Sequence, residues 1–143
     1  MPEGPEIRRA ADRISKKLVD KQIESVNIIY PPILEYQEIL GKSQVESVTT
    51  RGKAMLTRFD SGLSMYSHNQ LYGRWTVNRR STEMKWNRSL RIEFLTDKFA
   101  VRLWSATDVE IIPTSAEEDH PFIANLGLIF WMILALHRSS LNV

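Results

Sequence analysis

The stretch AMLTRFDSGLSMYS, residues 54–67, is the clearest local signal of the fold in this chain. Two short and largely apolar runs, 54–59 and 63–67, flank the tripeptide Asp60-Ser61-Gly62. Asp and Ser side chains bond to nearby backbone and Gly adopts positive φ without strain, so these residues favour tight turns. The pattern predicts a β-hairpin near the middle of the chain.

The segments on both sides of this hairpin are also typical of strands. Predicted strands lie at 23–30, 45–50, 72–78, 90–95, 99–104 and 109–112, with a loop at 79–87, a short helix at 34–40 that ends at Gly41, and one helical turn at 115–119. Within 90–95, apolar residues alternate with polar ones, as in a strand with one buried face. Successive strands separated by turns predict an antiparallel sandwich or a flattened barrel.

Apolar residues recur at helical spacing near the N-terminus, and arginine and lysine occupy the other faces. The apolar positions are Ile7, Ala10, Ala11, Ile14 and Leu18. We expect an amphipathic helix from about residue 5 to residue 19, with its apolar stripe against the core. The predicted fold class is therefore mainly β (α+β), a two-sheet antiparallel β-sandwich capped by an N-terminal amphipathic helix.

Length and composition indicate one globular domain of ordinary type. The chain has 143 residues, of which 43% are hydrophobic and 25% charged, and a net charge of +2. This charge permits a nucleic-acid surface without requiring one. The chain contains no cysteine, which excludes disulfides and thiolate metal sites. The N-terminal stretch lacks the apolar region of a signal peptide, so we expect a cytoplasmic protein.

The first six residues, Met1-Pro2-Glu3-Gly4-Pro5-Glu6, contain the strongest candidate for a catalytic group. A small second residue normally permits removal of Met1, which exposes the secondary amine of Pro2. An α-amino group titrates near ~7.7–8.0, so part of it is neutral and nucleophilic at physiological pH. Such an amine forms Schiff bases, and the adjacent Glu3 can transfer protons. The same residues also fit a plain helix start, which is the commoner explanation of such a pattern.

Two polar stretches lie directly before and after the predicted hairpin. The first is Thr50-Arg51-Gly52-Lys53-Ala54, which by itself resembles a solvated turn. The second is Ser67-His68-Asn69-Gln70-Leu71-Tyr72-Gly73, a loop of mixed polarity. His68 has no second ligand at a metal-binding spacing, so a structural histidine is favoured and no metal is expected.

Taken together, these stretches resemble the bacterial endonuclease VIII branch of the formamidopyrimidine-DNA glycosylase superfamily. The resemblance begins at PEGPEIRRAA (2–11), includes the two polar stretches, and ends with HPFIANLG (120–127). It implies a bifunctional base-excision-repair enzyme that acts on damaged double-stranded DNA as DNA glycosylase and abasic-site lyase. It also implies removal of oxidised pyrimidines through a Schiff base to the N-terminal proline, followed by β,δ-elimination.

The resemblance assigns catalytic roles to four residues of this sequence. Pro2 would attack the sugar C1′ of the flipped nucleotide, and Glu3 would transfer the accompanying protons. Lys53 would contact a phosphate and assist elimination, while Glu6 would hold or tune the N-terminus.

The resemblance also assigns residues to DNA binding. Gln70, Leu71 and Tyr72 match the residues that enter the duplex when the damaged nucleotide is flipped out. An apolar wedge lowers the cost of unstacking, and Gln can bond the orphaned base. Asn125 stands where a relative has an arginine on phosphate, and it retains hydrogen bonding without the charge.

The resemblance stops at Gly127, which divides the chain into an N-terminal catalytic domain at 1–127 and an apolar tail at 128–143. The family continues with a helix–two-turn–helix domain and a cysteine-ligated zinc finger, so we expect no cofactor in this chain. The apolar run LIFWMILAL (128–136) is shorter than the ~20 residues of a membrane span, so no membrane partner is expected. We expect a monomer, located in the bacterial cytoplasm at the nucleoid.

We expect the tail to arise from a truncation or a shifted reading frame. Phe130-Trp131-Met132-Ile133 must be encoded UUY-UGG-AUG-AUH. When the last three of these codons are read one base earlier, they become YUG-GAU-GAU and encode Leu-Asp-Asp. With suitable wobble bases the whole shifted peptide is Pro-Asp-x-Leu-Asp-Asp, similar to the family continuation. The alternative to an active enzyme is a truncated, catalytically inactive fragment with at most weak DNA binding.

Overall fold

The computed structural model describes residues 4–68, 74–81, 89–124, 132 and 135. Helix α1 spans Gly4–Leu18 and buries its apolar stripe, as the residue spacing predicts. Glu6 lies in its first turn and Lys16 and Lys17 in its last, which suits the helix dipole.

In the described part of the chain, eight strands form two four-stranded antiparallel sheets. The strands are β1 (Ile23–Ile28), β2 (Val45–Arg51), β3 (Ala54–Phe59), β4 (Leu63–His68), β5 (Arg74–Arg79), β6 (Leu90–Thr96), β7 (Phe99–Trp104) and β8 (Asp108–Pro113). Sheet 1 has the order β1-β6-β7-β5, and sheet 2 has the order β2-β3-β4-β8. The predicted two-sheet sandwich with an N-terminal helix is confirmed.

The hairpin predicted at 54–67 is formed by β3 and β4. Gly62, in the turn, has φ of 85°, a value that glycine adopts without strain. At the open end of the hairpin Ala54 pairs with His68, and Ala54 also pairs with Arg51 of β2. The β2–β3 turn and His68, the last residue of β4, therefore lie at the same end of sheet 2.

The main core lies between the facing sides of the two sheets. Phe59 of sheet 2 stacks on Phe94 of sheet 1 with ring centroids 6.1 Å apart, and Trp75 lies 6.3 Å from Phe94. Helix α1 contacts β2 and β5, the edge strands on one side of the sandwich, and adds its apolar stripe to this core. Burial of this apolar surface is the main force that holds the helix in place.

Strand β1 ends earlier than predicted, and the following helix starts earlier. The side chain of Gln37 accepts a hydrogen bond from the Ile28 amide (2.6 Å) and donates one to the Val26 carbonyl (2.7 Å). These bonds occupy the edge of β1. A 3-10 helix, Pro31–Tyr36, then leads into α2, Gln37–Gly41. The 3-10 helix begins at Pro31 because proline fits a first helical turn, so the predicted start at residue 34 is wrong.

Two other predicted elements have different boundaries in the structure. Arg79 closes β5 by pairing with Phe99, so the loop predicted from residue 79 starts later. The helical turn predicted at 115–119 is the 3-10 helix Thr114–Asp119. We call residues 114–124 the junction segment. No helix in the described part of the chain is long and apolar enough to cross a membrane.

Candidate active site

Three titratable side chains meet at the end of sheet 2 where the hairpin opens. Lys53 follows Gly52 in the β2–β3 turn, and the φ of Gly52, 60°, explains the glycine there. His68 is the last residue of β4 and pairs with Asp108, the first residue of β8. Lys53 and His68 are both partly buried.

The imidazole of His68 is held in its neutral form. Burial lowers its pKa below the ordinary 6.5, Asp108 opposes this shift, and the positive charge of Lys53 adds to it. Phe122 contacts the ring at its edge, with centroids 4.9 Å apart. The Nδ1 atom is buried without a hydrogen-bond partner among the described residues. A neutral His68 adds no second positive charge beside Lys53.

The pKa of His68 reports directly on this geometry. In an NMR titration we expect its midpoint below 6.5. Lys53→Gln should raise the midpoint because it removes a nearby positive charge, and Asp108→Asn should lower it further. Lys42→Gln, at the exposed lysine that follows α2, is the control and should leave the midpoint unchanged. Equal midpoints in the protein and in Lys53→Gln would contradict the proximity of Lys53 to His68.

The junction segment covers part of the outer face of sheet 2 beside His68. Tyr66 of β4 stacks on His120 with centroids 3.9 Å apart, and His120 bonds to Glu110 of β8. Burial raises the pKa of the Tyr66 hydroxyl, and the carboxylates of Asp108 and Glu110 add to that effect. Ile123 packs against Tyr66 in a small apolar cluster on this face.

A buried ion pair fastens the start of the junction segment to the same face. Arg58 of β3 donates hydrogen bonds to both carboxylate oxygens of Glu117 at 2.8 to 3.1 Å, and Ser64 donates another at 2.6 Å. The Arg58 side chain also bonds Ser47 (3.2 Å) and Thr49 (2.9 Å) of β2. Three neighbouring strands of sheet 2 therefore hold the junction segment.

The acidity of Glu117 follows from these contacts. Burial by itself would raise the pKa of its carboxyl. The hydrogen bonds from Arg58 and Ser64, with the charges of Arg58 and Arg51, outweigh that effect and hold the pKa below its ordinary value. The carboxylate is thus ionised at neutral pH and paired with Arg58.

Sequence reasoning missed this pair. Its only signal is a charged residue, Arg58, within the otherwise apolar run of β3, where a buried charge needs a partner. Nothing local identifies Glu117 as that partner, since Glu118 and Asp119 follow it directly.

The predicted site residues divide between described and undescribed parts of the chain. Lys53 lies at the end of sheet 2, and Glu6 is exposed in the first turn of α1. The others lie outside the described residues: Pro2, Glu3, Gln70, Leu71, Tyr72 and Asn125. The sequence still shows which described residues some of them adjoin. Residues 69–73 connect His68 to Arg74, and Asn125 follows the junction segment.

No residues suited to holding a metal occur in the described part of the chain. It contains no group of three or more His, Asp or Glu side chains arranged for an ion. The sequence has no cysteine, so these 143 residues do not fit a thiolate-bound zinc.

Comparison with known proteins shows which family this chain resembles. Residues 1–108 match the family described as formamidopyrimidine-DNA glycosylase N-terminal domain. The chain belongs to this family. The expected resemblance is confirmed, and Lys53, His68 and Asp108 at the end of sheet 2 all lie within the matched range.

Curated relatives in the family are named Endonuclease 8. The protein from Klebsiella pneumoniae is 42% identical over 127 residues, which cover 89% of this chain and 48% of the relative. The Pectobacterium carotovorum protein gives the same identity and coverage. The chain therefore spans about half the length of the curated relatives it matches.

Solved structures show the same fold at lower sequence identity. Lactococcus lactis formamidopyrimidine-DNA glycosylase, bound non-covalently to DNA with an abasic site, aligns with a TM-score of 0.70 and 16% identity. The alignment covers 81% of this chain and 47% of that protein. A complex of the same glycosylase with DNA containing N7-benzyl-Fapy-dG gives a TM-score of 0.69 and 18% identity.

Proposed function

We propose that this chain is the catalytic half of a base-excision-repair DNA glycosylase and abasic-site lyase that removes oxidised pyrimidines from double-stranded DNA. The observation that carries the proposal is that Lys53 and His68, the residue that precedes the segment 69–73, lie at the same end of sheet 2 in a chain of the glycosylase family. Its setting would be the bacterial cytoplasm at the nucleoid, with the protein as a monomer.

In the proposed reaction the amine of Pro2 attacks C1′ of the damaged nucleotide. The bond from C1′ to the base breaks, the base leaves with a proton, and C1′ is joined to Pro2 as an iminium after the sugar ring opens. Glu3 moves the protons of ring opening and base release. The iminium acidifies the C2′ proton, whose loss expels the 3′ phosphate. Glu6 contributes a second carboxylate that positions or tunes the terminus.

Lys53 is proposed to bind a phosphate and to donate a proton during elimination. An ammonium is a compact point charge suited to a phosphate oxygen. Because His68 is neutral, it places no repelling positive charge beside the ammonium of Lys53. Asn125 would supply a hydrogen bond to phosphate without a charge.

Gln70, Leu71 and Tyr72 are proposed to form the tip that enters the duplex. Leu71→Ala should then change the melting temperature little, because a side chain that inserts into DNA does not fill the protein core. It should lower activity on duplex DNA in a protein that contains both halves. A loss of about 2–5 kcal/mol in folding stability would instead mean that Leu71 belongs to the core.

A second candidate is a fragment that folds, binds DNA weakly and turns nothing over. The observation that favours it is that the chain covers 48% of its relatives' length, and losing several phosphate contacts lowers affinity by ~10³ or more at physiological salt.

The two candidates differ in two assays run on this chain. One measures binding to a duplex with an abasic site, and the other measures covalent trapping by borohydride on the same duplex. Trapping supports the proposed chemistry, and release of product over repeated cycles shows a functioning enzyme. Binding without trapping, or neither, supports the inactive fragment.

A further inference from the structure

A cavity lined by lysines lies at the C-terminal end of α1, apart from the candidate active site. The cavity, about 380 Å³ in volume, opens between this end and the β6–β7 turn. We call it the lysine pocket, and its lining is Lys16, Lys17, Lys21, Thr96, Asp97, Lys98 and Phe99.

The lysine pocket is remote from the candidate active site. In sheet 1, β5 runs from Arg74, which follows the segment 69–73, to Arg79. Arg79 pairs with Phe99 of the lysine pocket, whereas Arg74 pairs with Trp104 at the other end of β7. Five residue steps at ~3.3 Å each separate the two ends by roughly 17 Å. A ligand in the pocket therefore occupies a different place from a nucleotide near Lys53.

Within the described residues, the lysines of the lysine pocket outnumber its carboxylates. Within the described residues, none of its four lysines forms an ion pair within 4.0 Å. The pocket has one carboxylate, Asp97, and so a net charge of +3. The ammonium of Lys17 lies 3.9 Å from the centre of the Phe99 ring, which holds the side chain in one position. A lysine ordered in advance loses less conformational entropy when an anion binds.

The basic surface continues along α1. The helix carries five basic and two acidic residues, hence +3, although the whole chain carries only +2. Arg8, Arg9, Arg13 and Lys16 are exposed on it. At ~1.5 Å per residue the 15-residue helix forms a basic ridge of roughly 22 Å that leads from the N-terminus to the lysine pocket.

We propose that the lysine pocket binds a phosphate of a nucleic-acid backbone, as a second contact away from the candidate active site. Lysine binds phosphate as a point charge. The described lining of the pocket contains no arginine, whose guanidinium would instead make two parallel hydrogen bonds to its ligand. Contacts of this kind position a duplex without reading its sequence. The basic ridge favours a polyanion over a single small phosphate, because it extends the charge well beyond the cavity.

The test uses this chain, labelled for NMR, and a short undamaged duplex at low salt. We expect the amides of residues 96–99 to shift on titration with the duplex. Lys98→Glu should abolish these shifts and reduce the slope of log K against log salt concentration by about 1 or more. Lys42→Glu is the matched control, since it makes the same change in charge at an exposed lysine outside the pocket, and it should retain the shifts. Melting temperatures of both variants check that they fold.

Three results would overturn the proposal. The first is that the duplex leaves residues 96–99 unshifted. The second is that Lys42→Glu weakens binding as much as Lys98→Glu does. The third is that tripolyphosphate shifts these amides and the duplex does not, which would assign the pocket to a small phosphorylated ligand. Undamaged DNA requires no chemistry at Pro2, so this test and the borohydride assay can fail independently.

Discussion

A protein that retains Met1 should form no covalent adduct with an abasic-site duplex in the presence of borohydride. With Met1 in place the nitrogen of Pro2 belongs to a peptide bond, and resonance with the carbonyl removes its nucleophilicity. The processed protein, in which Pro2 is the terminus, should form the adduct. Intact mass separates the two forms, and a denaturing gel detects the adduct.

One companion variant, Lys53→Gln, sharpens this experiment. Pro2→Gly does not decide the question, because glycine also carries a terminal amine. Lys53→Gln should still form the adduct while cleaving the strand more slowly, since its proposed role is in elimination. If the Met1-retaining protein traps DNA as well as the processed one, and Lys53→Gln does not, the nucleophile is Lys53 and the assignment of Pro2 is wrong.

Glu117→Gln should lower the free energy of unfolding by about 3 kcal/mol, which corresponds to a loss of roughly 10 °C in melting temperature. The amide has the size of the carboxylate but leaves the charge of Arg58 unpaired, with the Arg58 side chain only 20% exposed. Urea unfolding measures the change. The control is Glu118→Gln, one residue away, whose partner Arg51 is 44% exposed. Because that pair is solvated, its loss should cost at most ~1 kcal/mol.

The loss of stability caused by Glu117→Gln should become smaller as the pH falls. The pKa of Glu117 is lower in the folded protein than its ordinary 4.5, so its contribution is complete above that value and is lost as pH falls below it. The difference between the protein and the variant should therefore shrink in acid. The double variant Arg58→Met/Glu117→Leu should recover much of the stability, because it leaves no buried charge unpaired. Equal effects of the 117 and 118 substitutions would contradict the buried pair.

Features that depend on neighbouring residues could be predicted from the sequence. The hairpin at 54–67 follows from turn chemistry between two apolar runs, and α1 follows from its helical period. Both were predicted nearly to the residue, and the alternation in β6 was predicted in the same way. Motifs in order also predicted the family, and the resemblance proposed Lys53 as a site residue.

Features that join distant segments become visible only in the folded protein. Arg58 and Glu117 lie 59 positions apart and meet because β4 pairs with β3 on one side and β8 on the other. The lowered pKa of His68 requires its burial and Lys53 nearby, and the lysine pocket requires that α1 end beside the β6–β7 turn. Sheet register and the crossing of elements set these contacts. They follow from packing of the whole core, which no local pattern of residues encodes.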